Sequence, residues 1–284
     1  MSAFGRERGP SPGLVDIEAW RSEPGSALQL RDDVLSVEEP LEIRVQDETL
    51  AVTMRTPGHD GELAAGFLLA EGLVRSRADL GSMAHCGRTG EEGARNVINV
   101  VPAPGVHFDV EALGHARRGT LTTSACGVCG RRFVDDLVAR LRTPPAHPPL
   151  EREFIAALPA ELRARQPHFE LTGGLHAAGI ASPERGFLVV REDVGRHNAV
   201  DKAIGRLLLD AQLPAASAVL VVSGRTSFEI VQKALSAGLA GVVGISAPTS
   251  LARATAERFE LLLCGFARGG AFNVYAGASR LAAG

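Results

Sequence analysis

The stretch "ASAVLVVSGRTSFEIVQKALSAGLAGVVGIS", residues 216–246, decides the fold. "ASAVLVVSG" is a short apolar run closed by a glycine, which predicts a buried strand. "TSFEIVQKALSAG" follows as a helix, and "GVVGIS" as a second buried strand. Strand, helix and strand in that succession form the unit of a sheet covered by helices.

The pattern extends outward in both directions. Upstream, "RHNAVDKAIGRLLLDAQL" (196–213) reads as a long amphipathic helix. "LHAAGIAS" (175–182) and "RGFLVVRED" (185–193) flank the turn Pro183–Glu184 as a strand pair, and "EREFIAALPAELRARQ" (151–166) is helical in part, with Pro159 interrupting it. Downstream, "SLARATAERFELLL" (250–263) reads as a helix, with a last apolar piece through "FNVYA" (272–276). The order α-β-β-α-β-α-β-α-β predicts an α/β, three-layer domain with a mostly parallel sheet. In element order it is similar to the cytidine-deaminase-like architecture. Zinc deaminases of that architecture carry His-x-Glu at one helix start and Pro-Cys-x-x-Cys at the next. Here these positions read "HNA" and "SGRTS", so zinc-deaminase chemistry is not expected.

The proline cluster "TPPAHPPL" (143–150) marks a boundary, giving an expected C-terminal domain over 149–284. A smaller α+β domain is expected over 35–148. Within it "EEPLEIRVQDETLAVTMRT" (38–56) alternates like a hairpin bent at Gln46–Glu48, "HDGELAAGFLLAEGLV" (59–74) has helical spacing ending near Gly72, and "NVINVVPAPG" (96–105) is a short strand. Residues 1–34, polar and interrupted by Gly and Pro, are expected as a flexible lead-in.

Composition bounds the function. The chain has 284 residues, 45% of them hydrophobic and 22% charged, and a net charge of −3. That balance gives no global attraction to nucleic acid or to a membrane surface, so anion binding must be local. No apolar run approaches the roughly 18 residues of a membrane helix, and "MSAFGRERGPSPG" has no secretory h-region. A cytoplasmic protein with reduced thiols is the expectation. Four cysteines in this length make no disulfide framework.

Two polar loops occupy strand-to-helix turns, where open α/β sheets bind ligands. "REDVGRHNAVDK" carries Gly195, Arg196, His197 and Asn198; "VVSGRTSFEIVQK" carries Ser223, Gly224, Arg225, Thr226 and Ser227. Glycine permits close backbone approach, and arginine grips phosphate oxygens with two donors at once. Such residues also serve as plain caps and turns, and His197 suits either a ligand contact or a helix-start hydrogen bond. Both loops together point to a phosphate or diphosphate.

"TTSACGVCGRR" (122–132) places Cys126 and Cys129 three positions apart. Alone, this spacing fits half a zinc site, a redox disulfide or a sulfur-handling pair. Cys86 and Cys264 do not form a second Cys-x-x-C pair, a mixed set with His85 and Cys86 stays open, and Cys264 after three leucines reads as a small buried hydrophobe. The small, polar run before the pair does not suit a thioredoxin-like turn. Arg131 and Arg132 favour the thiolate. An electropositive loop carrying nucleophilic sulfur fits better than zinc, and no metal site is expected.

Read together, "SACGVCG", "TGGLHAAG", "REDVGRHNAVDKAIG", "SGRTSFEIVQKA", "APTSLA" and "GFARGGAFNVYA" resemble the signature blocks of the formate dehydrogenase accessory sulfurtransferase family, FdhD/NarQ. "EEPLEIRV" and "LAVTMRTPGHDGELAAGFLLAEG" resemble its N-terminal region. The resemblance implies a homodimeric sulfurtransferase that takes sulfur from a cysteine desulfurase as a persulfide. It passes that sulfur to the molybdenum bis-guanine-dinucleotide cofactor used by formate dehydrogenase. Cys126 would be the carrier and Cys129 its partner. Phe266, Ala267, Arg268, Gly269, Gly270 and Ala271 would hold the cofactor, and the two helix-start loops its guanine-nucleotide diphosphates, for which GDP is a mimic. A cofactor-binding chaperone without sulfur chemistry is the alternative.

Overall fold

The computed structural model describes residues 13–86, 95–109 and 138–283. Cys126, Cys129, Arg131 and Arg132 lie outside the described residues.

Three sheets form. A two-stranded ribbon pairs β1 (Leu14–Arg21) with β2 (Gln29–Ser36). A four-stranded sheet, in the order β4-β3-β6-β5, contains β3 (Glu39–Val45), β4 (Glu48–Arg55), β5 (Leu80–His85) and β6 (Val97–Pro102). Between β3 and β4, Gln46 and Asp47 both have positive φ (50° and 68°), which matches the twist of a two-residue hairpin. Asn99 clamps that turn, accepting from the Asp47 N–H at 3.0 Å and donating to Asp47 Oδ1 at 2.7 Å.

The third sheet has six strands, in the order β12-β11-β10-β9-β7-β8. They are β7 (His176–Ser182), β8 (Gly186–Asp193), β9 (Val219–Val222), β10 (Gly241–Gly244), β11 (Leu262–Arg268) and β12 (Ala271–Ala276). The expectation of a mostly parallel sheet needs correction. β9–β10 and β10–β11 are parallel, whereas β7–β8, β7–β9 and β11–β12 are antiparallel. The β7–β8 hairpin joins by its first strand, so β7 runs against β9 and the sheet is mixed.

Helices cover both faces. α2 (Arg152–Arg163) packs Ile155, Leu158 and Leu162 against Ala177, Val219, Val221, Val243 and Leu262. Pro159 does not break α2. The buried apolar stripe on either side of it holds the helix together despite the one missing donor. The short α3 (Pro167–Thr172) follows. On the other face, α4 (Arg196–Leu209), α5 (Phe228–Ser236) and α6 (Ser250–Arg258) pack against Ala178, Ile180, Leu220, Val222, Val242 and Leu263. α6 is shorter than the sequence reading had it. Glu260 turns to φ 53° and ends the helix, and the apolar run after it is strand β11, with Cys264 fully buried.

α1 (Asp60–Ala70) carries the four-stranded sheet onto this layer. It crosses α4 at backbone contact: a Cβ on Gly66 would stand 2.0 Å from the Asp201 carbonyl oxygen, and one on Gly205 1.8 Å from that of Glu62. One core cluster therefore runs from Leu41, Ile43 and Val45 of β3 to Leu263 of β11.

The flexible lead-in expected over residues 1–34 is also corrected for the part described, where β1 and β2 form the ribbon. Its outer side chains are exposed on both faces, so no buried-exposed alternation marks it. Val37 N–H donates to Gly13 O (2.9 Å), and Ser36 Oγ donates to Thr172 Oγ1 (2.9 Å), anchoring its base.

Candidate functional site

The two strand-to-helix loops and the Phe266–Ala271 hairpin open on one edge of the six-stranded sheet. β8, β9, β10 and β11 end there, and the antiparallel β7 begins there with His176, opposite Asp193. The Ser223–Ser227 loop is tied to the next one: Thr226 N–H donates to Ala247 O (3.1 Å) and Thr249 N–H to Thr226 O (3.0 Å). Phe266 N–H in turn donates to Ser246 O at 3.1 Å, which joins the Phe266–Ala271 hairpin to the same edge.

The predicted residues divide into those that build the loops and those that display chemistry. Asn198 builds: buried, it donates to Met54 O (2.7 Å) and Asp193 Oδ1 (3.2 Å). Ser223 Oγ accepts the Ala177 N–H at 2.9 Å. Thr226 is wholly buried, and a Cβ on Gly244 would come within 2.5 Å of its Oγ1. Ala267 is buried against the α2 face. Phe266, 42% exposed and at φ 52°, sits in a break of β11–β12 register that turns its ring outward. Arg225, Arg268, Gly269, Gly270 and Ala271 are exposed, with both glycines at positive φ in the turn.

Two helix starts face this edge without side-chain caps, Gly195 for α4 and Ser227 for α5; Thr249 caps α6 by accepting from Ala252 N–H (3.3 Å). Arg196 Nε is buried with no partner among the described residues. Beside it, a Cβ on Gly224 would lie 3.6 Å from Arg196 Cδ, so the glycine leaves that corner open. His197 Nε2 lies 2.8 Å from Glu229 Oε2 and 3.2 Å from Ser227 Oγ. That hydrogen bond holds the Glu229 carboxyl below its ordinary range despite partial burial. The corner offers free N–H donors and positive charge to an anion.

Beneath the loops lies an ionic frame that the sequence reading missed. Asp193, fully buried, accepts from Lys202 Nζ (2.6 Å), Gly195 N–H (2.8 Å) and Thr56 N–H (3.2 Å). Lys202 Nζ also donates to Thr56 O at 2.8 Å. Lys233 pairs with Asp201 at 2.6 Å, and Arg55 grips Asp60 through Nε (3.1 Å) and Nη2 (3.2 Å). One signal was available: Asp201 and Lys202 sit among Ala199, Val200, Ala203 and Ile204, where a charge survives only if paired. Among the described residues, no three His, Cys, Asp or Glu side chains gather to hold a metal, and no helix is long and apolar enough to cross a membrane.

Fold and site together define a mixed α/β protein whose strand-end loops converge on one edge of its six-stranded sheet. Residues 36–282 match the FdhD/NarQ family model, and the chain belongs to that family. It is 50% identical to "Sulfur carrier protein FdhD" of Anaeromyxobacter dehalogenans (strain 2CP-C), over 97% of this chain and 96% of that one. It is 48% identical to the protein of the same name from Streptomyces coelicolor, over 90% and 92% of the two chains. The crystal structure of a candidate formate dehydrogenase accessory protein from Desulfotalea psychrophila superposes with a TM-score of 0.74. That match covers 95% of this chain and all of the other at 23% identity, which speaks to the fold.

Proposed function

We propose that this protein is a sulfur carrier that supports formate dehydrogenase. It takes sulfur from a cysteine desulfurase as a persulfide on Cys126 and passes it to the molybdenum bis-guanine-dinucleotide cofactor, its cargo. The observation that carries the reading is 50% identity along 97% of the chain to a protein named as a sulfur carrier.

The chemistry balances with the residues available. Cys126 thiolate attacks the outer sulfur of the donor's persulfide, whose S–S bond breaks as the donor thiolate leaves. For delivery, Cys129 thiolate attacks the inner sulfur of the Cys126 persulfide. The outer sulfur departs as hydrosulfide toward the cargo metal, the two cysteines are oxidised to a disulfide, and a thiol reductant resets them. Arg131 and Arg132 favour the thiolate form. The starts of α4 and α5 without side-chain caps, Arg196 Nε with no partner among the described residues and exposed Arg225 suit the diphosphates of the cargo. Phe266–Ala271 supplies an exposed glycine turn and an aromatic ring beside them. The working form is a homodimer in the cytoplasm, which sedimentation and fractionation test.

Incubation with a cysteine desulfurase and cysteine, followed by mass spectrometry, reads the carrier role directly. One added sulfur on Cys126 is expected, and Cys126→Ala fails to restore formate dehydrogenase activity in cells lacking the native protein. Absence of the adduct would leave the protein a cofactor-binding chaperone without sulfur chemistry.

A further inference from the structure

His176 stands in no predicted set, yet it occupies the corner of the proposed anion site. It is the first residue of β7 and is half-buried. A Cβ on Gly224 would lie 3.4 Å from His176 Nδ1 and 3.6 Å from Arg196 Cδ, so imidazole and guanidinium flank the same glycine. No described residue hydrogen-bonds the His176 ring. The charged groups facing it are Arg196 and His197 from α4 and Asp193 from β8. Asp193 is already engaged by Lys202, Gly195, Asn198 and Thr56. The corner thus gathers positive charge around an imidazole with open ring nitrogens.

Resting on the anion-site reading above, we infer that His176 belongs to that site and takes a proton from solvent when a phosphate group settles between it, Arg196 and His197. Nucleotide affinity then falls as pH rises. Burial first, and then the neighbouring Arg196 and His197, hold the free imidazole below its ordinary value, with Asp193 opposing. The negative charge of a phosphate at the same corner opposes that of the arginine and favours the imidazolium. Between the free and bound values, binding takes up one proton, and affinity drops by up to about tenfold per pH unit.

The full-length wild-type protein tests this by ¹H NMR of the histidine C2–H signals, titrated with and without saturating GDP. His176→Asn assigns the His176 signal. The expected result is an upward shift of the His176 midpoint on GDP addition. Calorimetric GDP affinities from pH 6 to 8.5 should also fall more steeply for wild type than for His176→Asn; the nucleotide's own titration cancels in that ratio. If GDP binds and Arg196→Ala or Arg225→Ala weakens it, but the His176 midpoint stays put, His176 is a structural neighbour and the inference is overturned while the anion site stands. If GDP does not bind, or binds regardless of both arginines, the anion-site reading fails and takes the inference with it.

Discussion

Single residues carry the chemistry and much of the acid sensitivity. Arg191 grips Glu62 with two bonds, Nε to Oε2 at 2.6 Å and Nη2 to Oε1 at 2.8 Å. Burial pushes the Glu62 carboxyl up, but Arg191 and His59 outweigh it and bring it down to about 2 from its ordinary 4.5. A folded-state value below the unfolded one stabilises the fold fully above about pH 5 and loses that contribution as pH falls toward 2, on the order of 3 kcal/mol. Glu62→Gln should flatten this acid limb in urea midpoints measured from pH 7 to 3; an unchanged limb would mean other carboxylates govern it. At the proposed anion site, Arg225→Ala and Arg196→Ala should each weaken GDP binding by about 1.5–3 kcal/mol, the worth of a charge-assisted contact. Arg196, Arg225 and Cys126 were all legible as residue types in loops. His176 and Asp193 were not, because a histidine and an aspartate at strand ends look like ordinary polar termini until their neighbours are known.

At the level of elements, the tightest glycine contacts among the described residues join two helices far apart in the chain. Gly66 on α1 and Gly205 on α4 let the backbones touch, since a methyl at either would lie within about 2 Å of the other helix's carbonyl oxygen. Gly66→Ala or Gly205→Ala should therefore cost about 3 kcal/mol or more in urea unfolding, because neither helix can withdraw without opening the core. A loss under 1 kcal/mol would show that the crossing relaxes easily. The helix α1, the β3–β4 hairpin and the β9–α5–β10 succession were readable from apolar spacing and turn residues. The end of α6 and the start of β11 were not: "RFELLL" keeps its apolar content across the change of structure, and only the positive φ of Glu260 marks it.

Across the whole molecule, the two larger sheets share one core, and ionic pairs span the join between them, such as Arg191 on β8 with Glu62 on α1. Unfolding should then be a single cooperative event. Cys264 reports it, being fully buried with its thiol pushed up to about 12 by burial. Iodoacetamide should leave Cys264 unmodified in native protein, and its labelling in urea should track loss of far-UV circular dichroism. Labelling that precedes that loss would reveal a separately opening C-terminal sheet. By itself the sequence determined the succession of helices and strands, the glycine-and-arginine loops at the helix starts and the paired thiols, because each is written in residues close together along the chain. Tertiary structure alone decided that β7 enters the sheet against β9, that Asp193 receives the Thr56 N–H from 137 positions away, and that His176 meets Arg196 at Gly224. Those facts rest on which distant segments pack together, and local patterns of polarity carry no record of that.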